Sequence, residues 1–218
     1  MAMTHTYHSH ADLPGSLPLF PLASVLLLPR GNLPLNVFEP RYLEMVDRAL
    51  STNRLIGMIQ PTESEEEVLR PRLARIGCAG RIVAFRETED NRYLITLAGV
   101  CRFRLADEPD SGAAWRAGAC DFAPFARDLT PDEDEDVPRE RLLDALKTYL
   151  TNRDMKADWN SVMTAPAEAL VNALSMMCPF DPAGKQALLE APTLAQRVST
   201  LEALLEMSGG ESGPVTLN

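Results

Sequence analysis

The sequence predicts an α+β protein in which a domain of mixed β-strands precedes a bundle of helices. Up to residue 126, apolar side chains alternate with polar ones or form short runs separated by proline and glycine, as strands do. From residue 138 onward, apolar residues recur at the three- and four-residue spacing of helices. The acidic segment Asp128 to Asp136, with Pro131, has too few apolar residues to pack and reads as a linker. We therefore predict a β-domain over residues 15–126 and a helical domain over 138–207, with loose tails at 1–14 and 208–218.

The stretch from Leu17 to Tyr42 opens the β-domain. It places short apolar runs between five prolines and one glycine, and proline cannot donate to a sheet ladder. Each run therefore predicts a short strand that ends at a sharp corner, as in a barrel folded over on itself. At the last corner, Pro40 suits the first position of a helix, because its missing N–H would be unpaired there anyway. This helix is predicted to cover one opening of the barrel with an apolar stripe made of Leu43, Val46 and Leu50.

Further strand patterns complete the predicted barrel. The segment Leu55 to Ile59 is short and apolar, and the segment Leu73 to Phe85 changes phase near Gly80, as at a bulge or a barrel bend. A return strand begins at Tyr93, and Gly99 interrupts its pattern. Beyond Gly99 the alternation puts Cys101, Phe103 and Leu105 on one face and Arg102 and Arg104 on the other. The last strand contains Trp115, Ala117 and Ala119.

The helical part has four apolar stripes and two start signals. Asp181 followed by Pro182 is typical of an N-cap, and Thr193 with Gln196 forms a capping box. Stripes of this kind are usually mutual core. Their members are Leu142, Leu143, Leu146, Tyr149 and Leu150; Leu170, Val171, Leu174 and Met177; Ala187 and Leu188; and Leu194, Val198, Leu201, Leu204 and Leu205.

Composition excludes several classes of function. A net charge of −10 disfavours nucleic acid and anionic membranes as partners, since both are bound mainly through basic groups. No apolar run approaches the ~18 residues of a membrane span. The amino terminus lacks the features of a signal peptide, and the four cysteines form no paired motif, so a reduced, cytoplasmic protein is predicted.

Catalytic and cofactor motifs are missing from the sequence. All three histidines, His5, His8 and His10, lie in the amino-terminal tail, so the folded body has no histidine for a triad and no metal or other cofactor is predicted. Gly184-Lys185 is followed by Gln186 where a phosphate-binding loop needs serine or threonine. The three lysines are predicted on hydrated helix surfaces, which disfavours a Ser-Lys dyad.

Three stretches carry a resemblance to a known family. They are Leu17 to Tyr42, the pair Arg102-Phe103, and the run from Glu168 to Pro192. Together they resemble the stand-alone bacterial proteins built on the substrate-binding N-terminal domain of Lon protease. The resemblance implies a PUA-like pseudo-barrel followed by helices, without the ATPase and protease modules. It also implies a non-catalytic role in binding unfolded or extended polypeptides, with a protease or chaperone complex as a further candidate partner.

Within the matching motif, the binding residues are predicted to be Phe38, Glu39, Arg41 and Tyr42. A structural interpretation stands beside this one: Glu39 caps the helix, Arg41 pairs with a strand carboxylate, and the aromatic residues are core. Two other functions remain open. One is binding of RNA or a small molecule by a basic patch of Arg75, Arg81, Arg86, Arg102 and Arg104, and the other is an unrecognised peptidase activity.

Overall fold

The computed structural model describes residues 7–63, 70–130 and 139–209, and the chain divides into two compact units. The β unit comprises residues 1–131 and the helical unit comprises residues 132–218. Parts of the predicted loop at 61–72, of the predicted linker and of both predicted tails lie outside the described residues. None of the described helices is both long and apolar enough to cross a membrane.

The β unit is built on one six-stranded sheet in the order β2-β5-β4-β3-β1-β6. An additional antiparallel pairing of β5 with β6 closes five of the strands into a barrel, and β2 remains outside as an edge strand. Among the strand pairs of the described residues, β1 with β3 is the parallel one and the others are antiparallel. The α+β fold with a mixed-strand barrel is therefore confirmed. The strands are β1 (Ser16–Pro21), β2 (Asn32–Val37), β3 (Leu55–Ile59), β4 (Ile76–Glu87), β5 (Tyr93–Asp107) and β6 (Arg116–Asp121).

Two prolines lie inside strands, contrary to the prediction that each apolar run ends at a corner. Pro34 is tolerated in β2 because β2 pairs with β5 alone, and an edge strand has one side without a ladder. Pro18 pairs with β6, whereas the ladder to β3 begins only at Leu19. A missing N–H is therefore accommodated where one side of the strand has no partner.

The bulge predicted near Gly80 is present, because the β4–β5 register shifts between Ala79 and Gly80. The interruption predicted at Gly99 falls at the same register shift, because Gly99 pairs with Gly80 and Cys101 with Ala79, so the ladder skips Val100. β5 nevertheless continues through this position as one strand. The backbone of Gly99 exchanges hydrogen bonds with the preceding loop: Arg30 donates to its carbonyl over 2.8 Å, and its own N–H donates to Gly31 over 2.8 Å. A Cβ at this position would collide with the carbonyl of Leu28. Glycine is needed for this close approach.

Helix α1 (Pro40–Leu50) begins at the predicted proline. Its core face consists of Tyr42, Met45, Val46 and Ala49, and Tyr42 packs on Phe20 of β1 with ring centroids 4.3 Å apart. The predicted stripe was correct for Val46 only, because Leu43 and Leu50 are half-buried. The helix is rotated so that the aromatic ring of Tyr42 and the flexible side chain of Met45 fill the core.

The orientation of α1 on the barrel can be tested by substitution. Met45→Ala should lower the free energy of unfolding by at least about 2 kcal/mol, because Met45 is fully buried and its loss leaves a cavity. Leu43→Ala should have a smaller effect, since Leu43 is half-buried. Urea unfolding followed by circular dichroism measures both. A larger loss for Leu43→Ala would show that the helix presents the originally predicted face.

Arg102 and Asp128 correct two further predictions. Arg102 was assigned to a solvent face and Asp128 to a linker, but their side chains are only 6% and 8% exposed and form a bidentate ion pair. The guanidinium donates from Nε to Oδ2 over 2.9 Å and from a terminal nitrogen to Oδ1 over 2.8 Å. The pair ties the 3-10 helix Ala123–Leu129 to β5. Alternation alone could not predict this burial, because it comes from the segment after β6, which covers Arg102.

The described part of the amino-terminal tail makes contacts with the β unit. A 3-10 turn spans His10–Asp12, and Leu13 is buried in the core with Leu17 and Phe103. The hydroxyl of Tyr7 accepts a hydrogen bond from Arg81 over 3.3 Å.

The helical unit has five helices among its described residues, and both start signals are present. Gly184 donates to the Asp181 carboxylate over 2.7 Å, and Gln196 donates to the Thr193 hydroxyl over 3.2 Å. Most stripe residues are buried, but Met177 is 81% exposed and Ala187 is exposed. The helices are α2 (Arg139–Asn152), α3 (Trp159–Thr164), α4 (Ala167–Met177), α5 (Pro182–Glu190) and α6 (Leu194–Gly209).

Lys185 is buried inside this unit, whereas a hydrated surface was predicted. Its Nζ donates to the carbonyl oxygens of Ser175 and Met176 over 2.8 and 2.7 Å. These carbonyls lie in the last turn of α4, where helix carbonyls lack partners within the helix. Burial lowers the pKa of Lys185 to about 8. The lysine on α5 therefore caps α4.

Candidate functional site

The four predicted binding residues lie at the junction of β2 and α1 but have different environments. Phe38 is 59% exposed, whereas Tyr42 is buried in the core, as the structural interpretation expected for an aromatic residue here. Arg41 pairs with the carboxylate of Glu39 over 2.8 Å, and both side chains are about two-fifths exposed, at 38% and 43%. Glu39 is the N-cap residue, but its side chain makes no capping hydrogen bond. Phe38, Glu39 and Arg41 thus present side chains outward, and Tyr42 does not.

A shallow groove of about 460 Å³ crosses β2, β5 and β4 next to Phe38. Strand register explains its floor. Pro34, Thr96 and Ala84 form one cross-strand row, and Asn36, Leu94 and Arg86 form the next. These rows face away from the core, because the intervening residues Ile95 and Leu97 are buried inside the barrel. We call this surface the β2 groove.

Phe38 marks one end of the β2 groove. It directly follows β2, and the guanidinium of Arg92, directly before β5, lies 5.4 Å from the centre of its ring. Arg86 is an exposed side chain of the groove itself. The groove therefore offers small and apolar side chains with two guanidinium groups beside them. The sequence predicted the strands to which these residues belong. It did not predict the pairing register that places the residues of β2, β5 and β4 in common rows.

A second cavity, of about 240 Å³, lies beside the first turn of α1. Arg41 and Tyr42 line it, together with the loop between β5 and β6, which supplies Asp110 and Trp115. Arg116 is held there by Glu108, to which it donates from Nε over 2.7 Å, and by the carbonyl of Pro71 over 2.7 Å. This cavity joins two of the predicted binding residues to a loop that sequence reasoning did not select.

The basic patch proposed for RNA is smaller than predicted. Arg102 is buried in its ion pair with Asp128, and Arg81 is half-buried and donates to the carbonyl of Asn53 over 2.7 Å. Arg75, Arg86 and Arg104 remain exposed.

The cysteine thiols are largely shielded from solvent. The thiols of Cys78, Cys101 and Cys178 are buried, and Cys120 is half-buried. Burial raises the pKa of Cys101 and of Cys120 to about 12, so neither is a thiolate near neutral pH. Across residues 7–63, 70–130 and 139–209, no three histidine, cysteine, aspartate or glutamate side chains group as metal ligands would.

Comparisons with known proteins agree on one family. The profile of the substrate-binding domain of ATP-dependent protease La (Lon) matches residues 16–207. A Lon protease of Dictyoglomus thermophilum is 26% identical over 168 residues, which cover 77% of this chain and 20% of the protease. The chain thus spans only about a fifth of the length of that relative.

Two solved structures extend the likeness to three dimensions. A Lon N-terminal domain protein from Xanthomonas campestris is 26% identical, with a TM-score of 0.61, over 86% of this chain and 97% of that one. The N-terminal domain of a Mycobacterium avium complex Lon protease is 15% identical, with a TM-score of 0.62, over 87% and 97% of the two chains, and shows the same fold. Both neighbours are matched over nearly their whole length.

Proposed function

This chain belongs to the family of Lon substrate-binding domains, and on that premise we propose that it is a non-catalytic module that binds exposed apolar segments of other polypeptides. The observation that carries the proposal is the β2 groove with Phe38 at its end. Phe38 is a large aromatic side chain that is 59% exposed beside an open apolar surface. Exposed aromatic residues beside a concave surface are typical anchors of binding energy.

Side chains, more than backbone pairing, supply the affinity in this proposal. Strand addition needs an edge strand with free N–H donors, and Pro34 in the middle of β2 has no backbone N–H. An extended segment therefore lies across the cross-strand rows, with apolar groups on Pro34, Ala84 and Leu94. Arg86 and Arg92 favour acidic residues in the same segment.

Phe38→Ala is expected to weaken binding of an unfolded polypeptide by roughly tenfold or more, because it removes the exposed anchor. Fluorescence anisotropy with fluorescein-labelled casein measures the dissociation constant, and a thermal melt checks that folding is intact. Ala84→Arg, which fills the groove without touching Phe38, should have a similar effect.

The matched control is Met207→Ala, which removes an apolar side chain that is 71% exposed on the helical unit. Its affinity for casein should equal that of the parent protein. Equal affinities for all three variants would rule out the β2 groove as the binding surface. Hydrolysis of the casein by the purified chain would contradict the non-catalytic part of the proposal.

We also propose the cytoplasm as the compartment. All four cysteines are free thiols, which a reducing environment preserves. Binding of RNA is not proposed, because the predicted patch loses Arg102 to the core.

A further inference from the structure

The cavity beside α1 is more basic than the protein that contains it. Its lining includes three guanidinium groups, those of Arg41, Arg70 and Arg116, and one carboxylate, that of Asp110. The whole chain, in contrast, has a net charge of −10. We call this cavity the arginine cavity. Its volume of about 240 Å³ admits a chain end or one side chain.

Each guanidinium reaches the arginine cavity in a different way. Arg116 is fixed in place, since Glu108 and the Pro71 carbonyl accept hydrogen bonds from its three nitrogens. Arg41 lies 4.5 Å from the centre of the Tyr42 ring, and its ion pair with Glu39 is exposed enough for water to compete with it. Arg70 is exposed and lies in the connection between β3 and β4. Arg116 is thus fixed with Glu108 as its counter-charge, Arg41 shares an exposed ion pair with Glu39, and Arg70 is exposed.

Two further features favour an anion with acceptor oxygens. The first turn of α1 borders the cavity, and the amino end of a helix favours negative charge. The indole Nε1 of Trp115 is shielded from solvent and has no hydrogen-bond acceptor among the described residues. A buried indole N–H normally has an acceptor, and an oxygen of a bound ligand would supply one.

We propose that the arginine cavity binds a carboxylate of the polypeptide held by the module. This inference rests on the proposed function for the nature of the ligand, but not for the chemistry that recognises it. Guanidinium groups match carboxylates in geometry and charge, and the indole N–H adds a donor that a bare cation site would lack. The carboxylate comes either from the free end of the chain or from an aspartate or glutamate side chain.

The direct test uses small probes and therefore does not depend on polypeptide binding. N-acetyl-leucine, which has a free carboxylate, and N-acetyl-leucine amide are titrated separately into the full chain, and the indole N–H resonances are followed by NMR. The chain has two tryptophans, so Trp159 in the helical unit is an internal control. The acid should shift the Trp115 resonance and leave Trp159 unchanged, and the amide should shift neither.

The source of the carboxylate is decided with three versions of one apolar peptide: free carboxyl terminus, amidated terminus, and amidated terminus with an internal glutamate. A carboxylate-bearing version should bind at least tenfold more tightly than the plain amide. Arg41→Gln with Arg70→Gln should abolish that ratio, whereas Phe38→Ala should weaken all three versions and keep the ratio.

Trp115→Phe removes the indole donor alone and should reduce the ratio without lowering the melting temperature. If the Trp115 resonance responds equally to acid and amide, or to neither, the arginine cavity does not recognise carboxylates. If no peptide binds while the acid still shifts Trp115, the proposed function fails and the carboxylate site stands.

Discussion

Asp128→Asn is expected to destabilise the β unit by about 3 to 5 kcal/mol, more than a typical surface substitution anywhere in the chain. Asp128 accepts three hydrogen bonds from Arg102: two from the guanidinium, over 2.9 and 2.8 Å, and one from the backbone N–H over 2.9 Å. Burial by itself lowers the pKa of Arg102, but the hydrogen bonds and charge of Asp128 outweigh this and raise it. Without this carboxylate, the guanidinium stays buried and loses the charge and hydrogen bonds of Asp128.

The control for this prediction replaces both partners. Breaking a buried pair is expensive, but exchanging it for apolar side chains of similar volume is often nearly neutral, so Arg102→Met with Asp128→Leu should recover most of the loss. Urea unfolding of the two single variants and the double variant gives the coupling free energy. If the double variant is as unstable as Asp128→Asn, the contribution of Asp128 comes from another contact of its side chain, such as the hydrogen bond that its Oδ2 accepts from the backbone N–H of Arg102.

Features that depend on neighbouring residues in the sequence were predicted correctly. Pro40 at the start of α1, the bulge at Gly80 and the cap of Asp181 were predictable, because each depends on the chemistry of one or two neighbouring residues. Arg102 and Lys185 were wrongly placed outside the core. Each is buried by a segment distant in sequence that brings its own hydrogen-bond acceptors, which no periodicity can reveal.

The candidate site was predictable only in part. The motif around Phe38 and Arg41 follows from the resemblance, and both side chains reach the surface. The surfaces beside them depend on the register between β2 and β5 and on the loop that contains Trp115, and both arise from contacts between segments far apart in the sequence. Tyr42 was predicted as a site residue because it follows Arg41 in the sequence. Its position on α1 instead directs its ring toward Phe20.

Raising the pH above 8 should change the stabilities of the two units differently, because their buried titratable groups have opposite effects on the free energy of unfolding. In the β unit, burial raises the pKa of Cys101 and Cys120 to about 12 and holds that of Cys78 well above the ordinary value of 9.0. Above pH 9 these thiols ionise in the unfolded chain but keep their protons in the folded one. The unfolded state then binds fewer protons, so stability falls as pH rises, by about 1.4 kcal/mol per pH unit for each thiol.

The helical unit has compensating groups. Lys185 releases its proton at about pH 8 in the folded unit but at about 10.5 when unfolded, so it adds stability as pH rises between these values. Cys178, whose pKa burial raises to about 11, removes stability above pH 9 at the same rate. The two effects should produce a gain of about 1 kcal/mol from pH 8 to 9 and near cancellation from pH 9 to 10.

Each unit contains one of the two tryptophans, so single-tryptophan variants report on them separately. Trp159→Phe leaves Trp115 as the probe of the β unit, and Trp115→Phe leaves Trp159 as the probe of the helical unit. Urea midpoints in reducing buffer should fall steeply above pH 9 for the β unit, approaching about 4 kcal/mol per pH unit from its three thiols. Cys101→Ala should remove about a third of that slope, and Lys185→Met should abolish the gain of the helical unit between pH 8 and 9. Parallel losses in both units from pH 9 would mean that Lys185 stays protonated in the folded chain and that burial does not lower its pKa.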